Sequence, residues 1–478
     1  MMRKHLQIGF ILGIIFLAGN SFAQIEVSGS EKIKANNAQI GTTHPVNIHD
    51  LINSIADSLN EHYIFPEKAA SISIYLQSQL KKNAYIGLLD NPEKLAEQIG
   101  QDINVVHHDP HMRIKFDLGF VPQEIYKPTS EDIKQVKKYW KENNYMFKKA
   151  EVLPGNIGYL SFNLFVEDIE AAKPTITAAL KFLVNTTALI IDLRENMGGS
   201  PEMVSQIESY FFKEKIHMND LINRSNKDTT FLYADPAKSD GLNHSMPVYI
   251  LTGQHTFSGA EDFSYGMQIA KRAIVVGETT GGGAHPQMPF SVGQSFVVFI
   301  PFARSINPVT QTDWEGKGVI PDVKTTANEA FIKAQELIFS NLSLTATDQK
   351  EKNKYLYFLN SLLMNDANKQ LALNKLLPFA GTYGGLIIYL NKNKLYCKND
   401  NNGGAVSELK HISNNLFVLD KDAQIEFVND SKGYYSAIKI FVNDGSIFEE
   451  KRTNNTHQIK VSRYIGTEIL RSKVETTK

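Results

Sequence analysis

The sequence predicts an α/β protein: a core of strands alternating with helices, preceded by a helical region and followed by a small antiparallel β domain. Three observations carry this. The apolar runs "NIGYLSFNLF", "ALIIDLR", "PVYILTG" and "AIVVGE" are short and rich in Val, Ile and Tyr. They alternate with helical patterns over 169–184, 203–212 and 260–271, as expected for a mainly parallel sheet covered on both faces. Upstream, Leu51, Ile52, Ile55, Ala56 and Leu59 recur at helical spacing, and so do the apolar residues of "EKAASISIYLQSQLKK" and "PEKLAEQIGQDINVV". Downstream of "FAGTYGGLIIYLNKNKLYCKND" the pattern alternates in twos, with turns at Asn391–Asn393 and at "NDG", 443–445.

In chain order, the first 23 residues have a basic start, "MMRKH", an apolar stretch, and small residues before Gln24. That pattern predicts a cleavable signal peptide over 1–23 and a secreted or periplasmic protein. Residues 45–116 read as an N-terminal helical domain. Residues 117–150, with Pro122, Pro128 and "EDIKQVKKYWKENNYMFKK", read as a linker with one exposed helix. The α/β core spans 151–344, adding the strand "SFVVFIP" and the amphipathic helix "TANEAFIKAQELIFSNL". A charged helical linker follows over 345–377, then the β domain over 378–465.

Composition narrows the function. A chain of 478 residues is too long for one ordinary core. A formal charge of −1, with no basic stripe interleaved with aromatics, gives no electrostatic case for nucleic acid. Cys397 is the single cysteine, so intramolecular disulfides are excluded and stability outside the cytoplasm rests on packing.

Five segments have residues that can support chemistry. In "HTFSGAEDF", Ser258 follows the carboxyl end of a predicted strand and opens a helix, where the Gly259 amide can hold an oxyanion. Ser258 and Glu261 equally have the spacing of a capping box. In "DLRENMGGS", Gly198 and Gly199 can turn backbone amides inward as the other half of that hole, or simply form a turn; Asp192 and Arg194 fit a structural pair. "HHDPHMRIKF" offers His107, His108 and His111 as metal ligands, a general base or solvated histidines. "TDWEGKGVIPD" places Glu315 beside Trp314, to orient a histidine or to lie solvated in a turn. "GETTGGGAHPQMPF" presents Gly282, Gly283 and His285 as a substrate edge or a long turn.

Taken in order, "DPHMRI", "IDLRENMGG", "TFSGAEDF", "AIVVGETTGGGAHP" and "WEGKGVIPD" resemble the tail-specific, or carboxy-terminal processing, serine protease family. The closer likeness is to the branch with the tricorn core protease and the interphotoreceptor retinoid-binding protein repeats. It covers roughly residues 45–335 and implies a crotonase-like β/α superhelix in the core. It also implies Ser258 as nucleophile, His111 as base and Glu315 as the supporting carboxylate, with an oxyanion hole from Gly198, Gly199 and Gly259. Two departures stand out. "TTGGGAHP" has no lysine where dyad members of the family place their base, and Pro110 stands where the tricorn-like branch has an assisting serine. Residues 117–150 are also too few for the PDZ domain of many relatives. The expected activity is a serine-type endopeptidase acting on peptides or proteins, with no cofactor and no resident metal. The alternative is a non-catalytic binding protein on the same fold.

Overall fold

The computed structural model describes residues 46–120, 129–224, 228–242, 244–363, 371–400 and 403–453. The expected signal peptide, Pro122, Pro128 and the end of the β domain beyond 453 lie outside these residues. Among them, no helix is long and apolar enough to cross a membrane. Packing divides the chain between Ala330 and Phe331 into two compact units.

The first unit begins with α1 (Ile48–His62), α2 (Pro66–Lys81) and α3 (Pro92–Val106). Their starts are those the sequence offers. Asn47 and Asn91 cap α1 and α3 through their side chains, and Pro66 and Pro92 sit in first turns, where no amide is missed. The apolar faces meet in a core of Leu51, Ile55, Leu76, Ile99 and neighbours. The helices are not self-contained, because Ile114, Phe296, Val298 and Ile300 complete the same core. These come from β1 (Arg113–Phe116) and a later hairpin. Next, α4 (Ser130–Glu142) opens with a Thr129–Asp132 capping box and buries only Trp140.

The central sheet follows. Its elements are β2 (Phe147–Leu153), β3 (Ile157–Phe162), α5 (Ile169–Leu183), β4 (Ala188–Asp192) and α6 (Pro201–Glu208). A small excursion, β5 (Ile216–Asn223) and β6 (Thr229–Ala234), precedes β7 (Val248–Thr252), α7 (Gly259–Ile269) and β8 (Ala273–Gly277). The hairpin β9 (Gln287–Ser291) and β10 (Phe296–Pro301), then β11 (Ala303–Ile306) and β12 (Val323–Lys324), complete the unit. Six strands lie in the order β12-β8-β7-β4-β3-β2. All neighbours are parallel except β2, which runs antiparallel on the edge. Every residue of β4 and β7 is buried, which is why both read as unbroken apolar runs. Because β4 and β7 are parallel neighbours in register, with Asp192 opposite Leu251, the loops leaving their carboxyl ends emerge side by side. Two smaller sheets, β1-β10-β9 and β11-β5-β6, flank the loops that complete the site.

In the second unit, α8 (Ala327–Thr345), which straddles the boundary, leads to α9 (Gln349–Leu362) and α10 (Leu373–Leu376). Nine antiparallel strands follow: β13 (Gly381–Tyr383), β14 (Leu386–Asn391), β15 (Lys394–Asn399), β16 (Ala405–Glu408), β17 (Lys410–Ser413), β18 (Leu416–Val418), β19 (Ala423–Asn429), β20 (Tyr435–Val442) and β21 (Ile447–Thr453). They form one sheet with β16 and β17 at its two ends. Laid flat, nine strands at about 4.8 Å spacing would separate those ends by roughly 38 Å. Leu409 alone joins them, so the sheet curls until its ends meet. Its interior is filled by Phe379, Tyr383, Phe417 and Phe427 together with Cys397.

Candidate active site

Ser258 stands at the turn from β7 into α7 with φ 52° and ψ −120°. The Ala260 amide donates to the Phe257 carbonyl across it at 3.0 Å, which closes a turn whose first central residue is normally glycine. A serine there is strained, and sharp strand-to-helix turns of this kind present a nucleophile clear of the sheet. The capping-box spacing has a consequence the sequence left open. Glu261 reaches back, and its Oε2 accepts the Ser258 amide at 2.8 Å and the Gly283 amide at 2.8 Å. Its Oε1 accepts the Gly282 amide at 2.7 Å and the Thr280 hydroxyl. Burial raises the Glu261 carboxyl above its usual range, against the pull of these donors. The amides of Gly282 and Gly283 are therefore spent on Glu261.

The glycine loop after β4 packs directly on this turn. A Cβ on Gly198 would lie 2.6 Å from the Gly259 nitrogen and 2.8 Å from Ser258 Cβ; one on Gly199 would lie 2.0 Å from the Phe165 carbonyl oxygen. Both glycines have positive φ, 99° and 126°. The Gly198 amide donates to Asn196 Oδ1 at 2.9 Å, so its donor is already engaged. Gly199 and Gly259 are the remaining backbone donors of the three candidates, and Gly259 is a first-turn residue with no intrahelical acceptor for its amide. Asn196, fully buried, also donates to the Phe162 carbonyl at 2.8 Å and accepts the Phe257 amide at 3.1 Å through its backbone. It ties β3, the glycine loop and the Ser258 turn together. Asp192 and Arg194 form a structural pair: the guanidinium clasps both carboxylate oxygens and donates to the Ala327 carbonyl.

His111, two residues before the start of β1, is 4% exposed. Its ring packs against Phe257, the residue before Ser258, at 5.0 Å between centroids. A Cβ on Gly283 would meet the rings of Phe257 and His111 at 2.2 and 2.6 Å, so only glycine allows the loop to lie against them. His111 Nδ1 faces Glu315 Oε2 at 3.8 Å and Asp109 Oδ1 at 4.0 Å. Glu315 is not the solvated turn residue the sequence also allowed. Its side chain is 11% exposed, and it accepts the Ala284 amide at 2.5 Å.

His285 does not sit on an open substrate edge. Buried to 2% exposure, it lies among Asp109 at 3.1 Å, Glu315 at 3.5 Å and Asp313 at 3.8 Å. Burial alone would lower its pKa, but the three carboxylates outweigh it and raise the imidazole to about 9. Burial alone would likewise raise Asp109, yet His285 and His111 hold it below the ordinary carboxylate value. Asp109 Oδ2 also accepts the Tyr63 hydroxyl at 3.1 Å, and Oδ1 accepts the His111 amide at 3.0 Å.

Of the three histidines in "HHDPHM", only His111 reaches this cluster. His108 is exposed, and the His107 ring packs near Tyr63 and Phe65. The donors that do gather are Asp109, His111 and Glu315, each contributing an atom within 4.8 Å of the others. Sequence reasoning gave no role to Asp109, Tyr63, Asn196 or Phe257, and saw Glu261 only as a helix start. Glu261 and Asp109 had a visible signal in the Ser-x-x-Glu and Asp-x-His spacings. Tyr63 had none.

Sequence and structure likenesses to known proteins fall mainly on the α/β core. Residues 156–325 match Peptidase family S41. Over 177 residues the chain is 29% identical to carboxyl-terminal-processing peptidase 2, chloroplastic, of Arabidopsis thaliana, covering 36% of this chain and 33% of that one. Over 174 residues it is 25% identical to the carboxy-terminal-processing protease of Bartonella bacilliformis, covering 35% and 38%. The chain thus spans little more than a third of the length of these curated relatives. Among solved structures, the photosystem II D1 C-terminal processing protease aligns with TM-score 0.37 and 16% identity over 59% of this chain and 94% of that one. The tricorn protease aligns with TM-score 0.36 and 11% identity over 62% and 36%.

Proposed function

With residues 156–325 matching peptidase family S41, we propose that the chain is a serine-type endopeptidase with Ser258 as nucleophile, on a crotonase-like β/α core. The observation that carries the reading is the strained Ser258 turn, with the Gly198–Gly199 loop packed against Gly259 on one side. On the other side, the His111 ring packs on Phe257. His111 takes the Ser258 proton as Oγ attacks a peptide carbonyl. The amides of Gly199 and Gly259 hold the oxyanion, while Gly198 shapes the loop through Asn196. Glu315, with Asp109, faces Nδ1 and stabilises the imidazolium that forms. His111 then protonates the leaving amine, and water releases the acyl group. Pro110 contributes no side-chain hydrogen bond to this relay, and Asp109 takes a supporting place beside the base. The leader-like first 23 residues support action outside the cytoplasm.

The test is a fluorophosphonate probe together with hydrolysis of a casein-derived peptide library. Wild type labels once per chain and cleaves, whereas Ser258→Ala does neither while keeping its unfolding transition. Equal hydrolysis by both proteins removes the assignment. Peptide binding without labelling would favour the non-catalytic binding protein.

A further inference from the structure

We propose that Asp109, His111 and Glu315 form a zinc site that silences the nucleophile; the silencing, though not the binding, rests on the peptidase reading above. One donor atom from each residue lies within 4.8 Å of the other two. The His111 Nδ1 separations to Glu315 and Asp109, 3.8 and 4.0 Å, are about 0.5 Å longer than the ligand–ligand edge of tetrahedral zinc with bonds of about 2.1 Å. A small contraction around an ion closes that gap.

Two features point to a ligand rather than a self-satisfied cluster. His111 Nδ1 is buried with no hydrogen-bond partner, although its residue is only 4% exposed, and Glu315 Oε1 is buried and unpartnered as well. The other carboxylate oxygens, among them Glu315 Oε2 and Asp109 Oδ1 that face Nδ1, have the outer partners that zinc ligands use, the His111 amide donating to Asp109 Oδ1 at 3.0 Å. Tyr63 and His285 donate to Asp109 Oδ2, and the Ala284 amide donates to Glu315 Oε2. An imidazole with two carboxylates and one open position suits zinc and leaves room for a water.

The consequence for Ser258 follows from the tautomer. Zinc on Nδ1 leaves the ring proton on Nε2, so the imidazole has no lone pair with which to accept the serine proton. The ion also removes Glu315 and Asp109 as partners for the imidazolium. The apo protein is then the competent form and the zinc-bound form the silent one.

The experiment uses the full chain carrying Ser258→Ala, stripped with a chelator and titrated with zinc chloride by calorimetry. One zinc per chain is expected. Asp109→Asn and Glu315→Gln, each checked for a native circular dichroism spectrum, should bind about 10- to 100-fold more weakly. His108→Ala, an exposed neighbour, should bind as the parent does. Cobalt(II) offers a second readout, its visible absorption appearing in the parent and fading in both ligand variants. In the protein with Ser258 intact, hydrolysis should fall in step with zinc occupancy and return on chelation. Absence of saturable binding, or equal loss in His108→Ala, overturns the site. Hydrolysis that persists at full occupancy overturns the silencing. One bound zinc in a protein that never hydrolyses peptide keeps the site and removes the peptidase reading instead.

Discussion

Glu261 and Ser258 are joined through the backbone: the carboxylate accepts the Ser258 amide at 2.8 Å while also holding Thr280, Gly282 and Gly283. Four donors from two segments converge on one fully buried carboxylate. Glu261→Gln replaces one acceptor oxygen with an NH2 group facing donors. We expect a loss of about 2–4 kcal/mol in urea unfolding, since a buried charged acceptor is lost and amides are left unpaired, together with a fall in kcat. A variant as stable as the parent would show that the carboxylate is not the organiser.

Ser258 occupies a backbone conformation that suits glycine, φ 52° and ψ −120°. Ser258→Gly should therefore be about 1 kcal/mol more stable than Ser258→Ala in denaturant unfolding, with both inactive. Equal stability would mean that the turn relaxes at no cost.

Asn196 fixes the glycine loop, through Gly198 and Phe162, and that loop shapes the oxyanion hole in the proposed mechanism. Asn196→Ala should lower kcat much more than it changes KM, because the oxyanion forms only in the transition state. It should also cost about 1–3 kcal/mol of stability by orphaning buried groups. Steady-state kinetics with thermal unfolding check both. A change in KM alone would place Asn196 in substrate binding.

His285, held cationic by Asp109, Asp313 and Glu315, titrates at about 9 in the folded protein, against about 6.5 unfolded. Its contribution to stability is fully present below pH 6.5 and is lost as pH rises toward 9. Wild-type unfolding free energy should fall across that window, and His285→Gln should lack that part of the slope. Parallel profiles for the two proteins would remove the assignment.

The central strands were legible because β4 and β7 are buried on both faces and read as solid apolar runs. The positions of Ser258, Gly198 and Gly199 followed from the ends of those runs. The β5–β6 excursion was not legible: "IHMNDLIN" and "TTFLYA" are only partly buried, so alternation is weak. The helical region read as a domain of its own because periodicity reports an apolar face, not what covers it. Here Phe296, Val298 and Ile300 cover part of it from about 200 residues away. The buried charges around His111 were illegible for a related reason. His285, Asp313 and Glu315 come from loops far along the chain from Asp109 and His111, and nothing near Tyr63 advertises its contact. Pattern fixes which residues turn inward, whereas tertiary closure decides which of them meet.

The curled sheet of the second unit has a seam. Every neighbouring pair of its strands is hydrogen-bonded, but β16 and β17, its two ends, are brought together by the chain through Leu409. That boundary is held by connectivity and by packing of the buried Leu409 side chain, so it is where the ring of strands opens at least cost. Slow hydrogen exchange should persist in β19 and β20, in the body of the sheet. Exchange along β16 and β17 should proceed by local opening, with the rest of the sheet still folded.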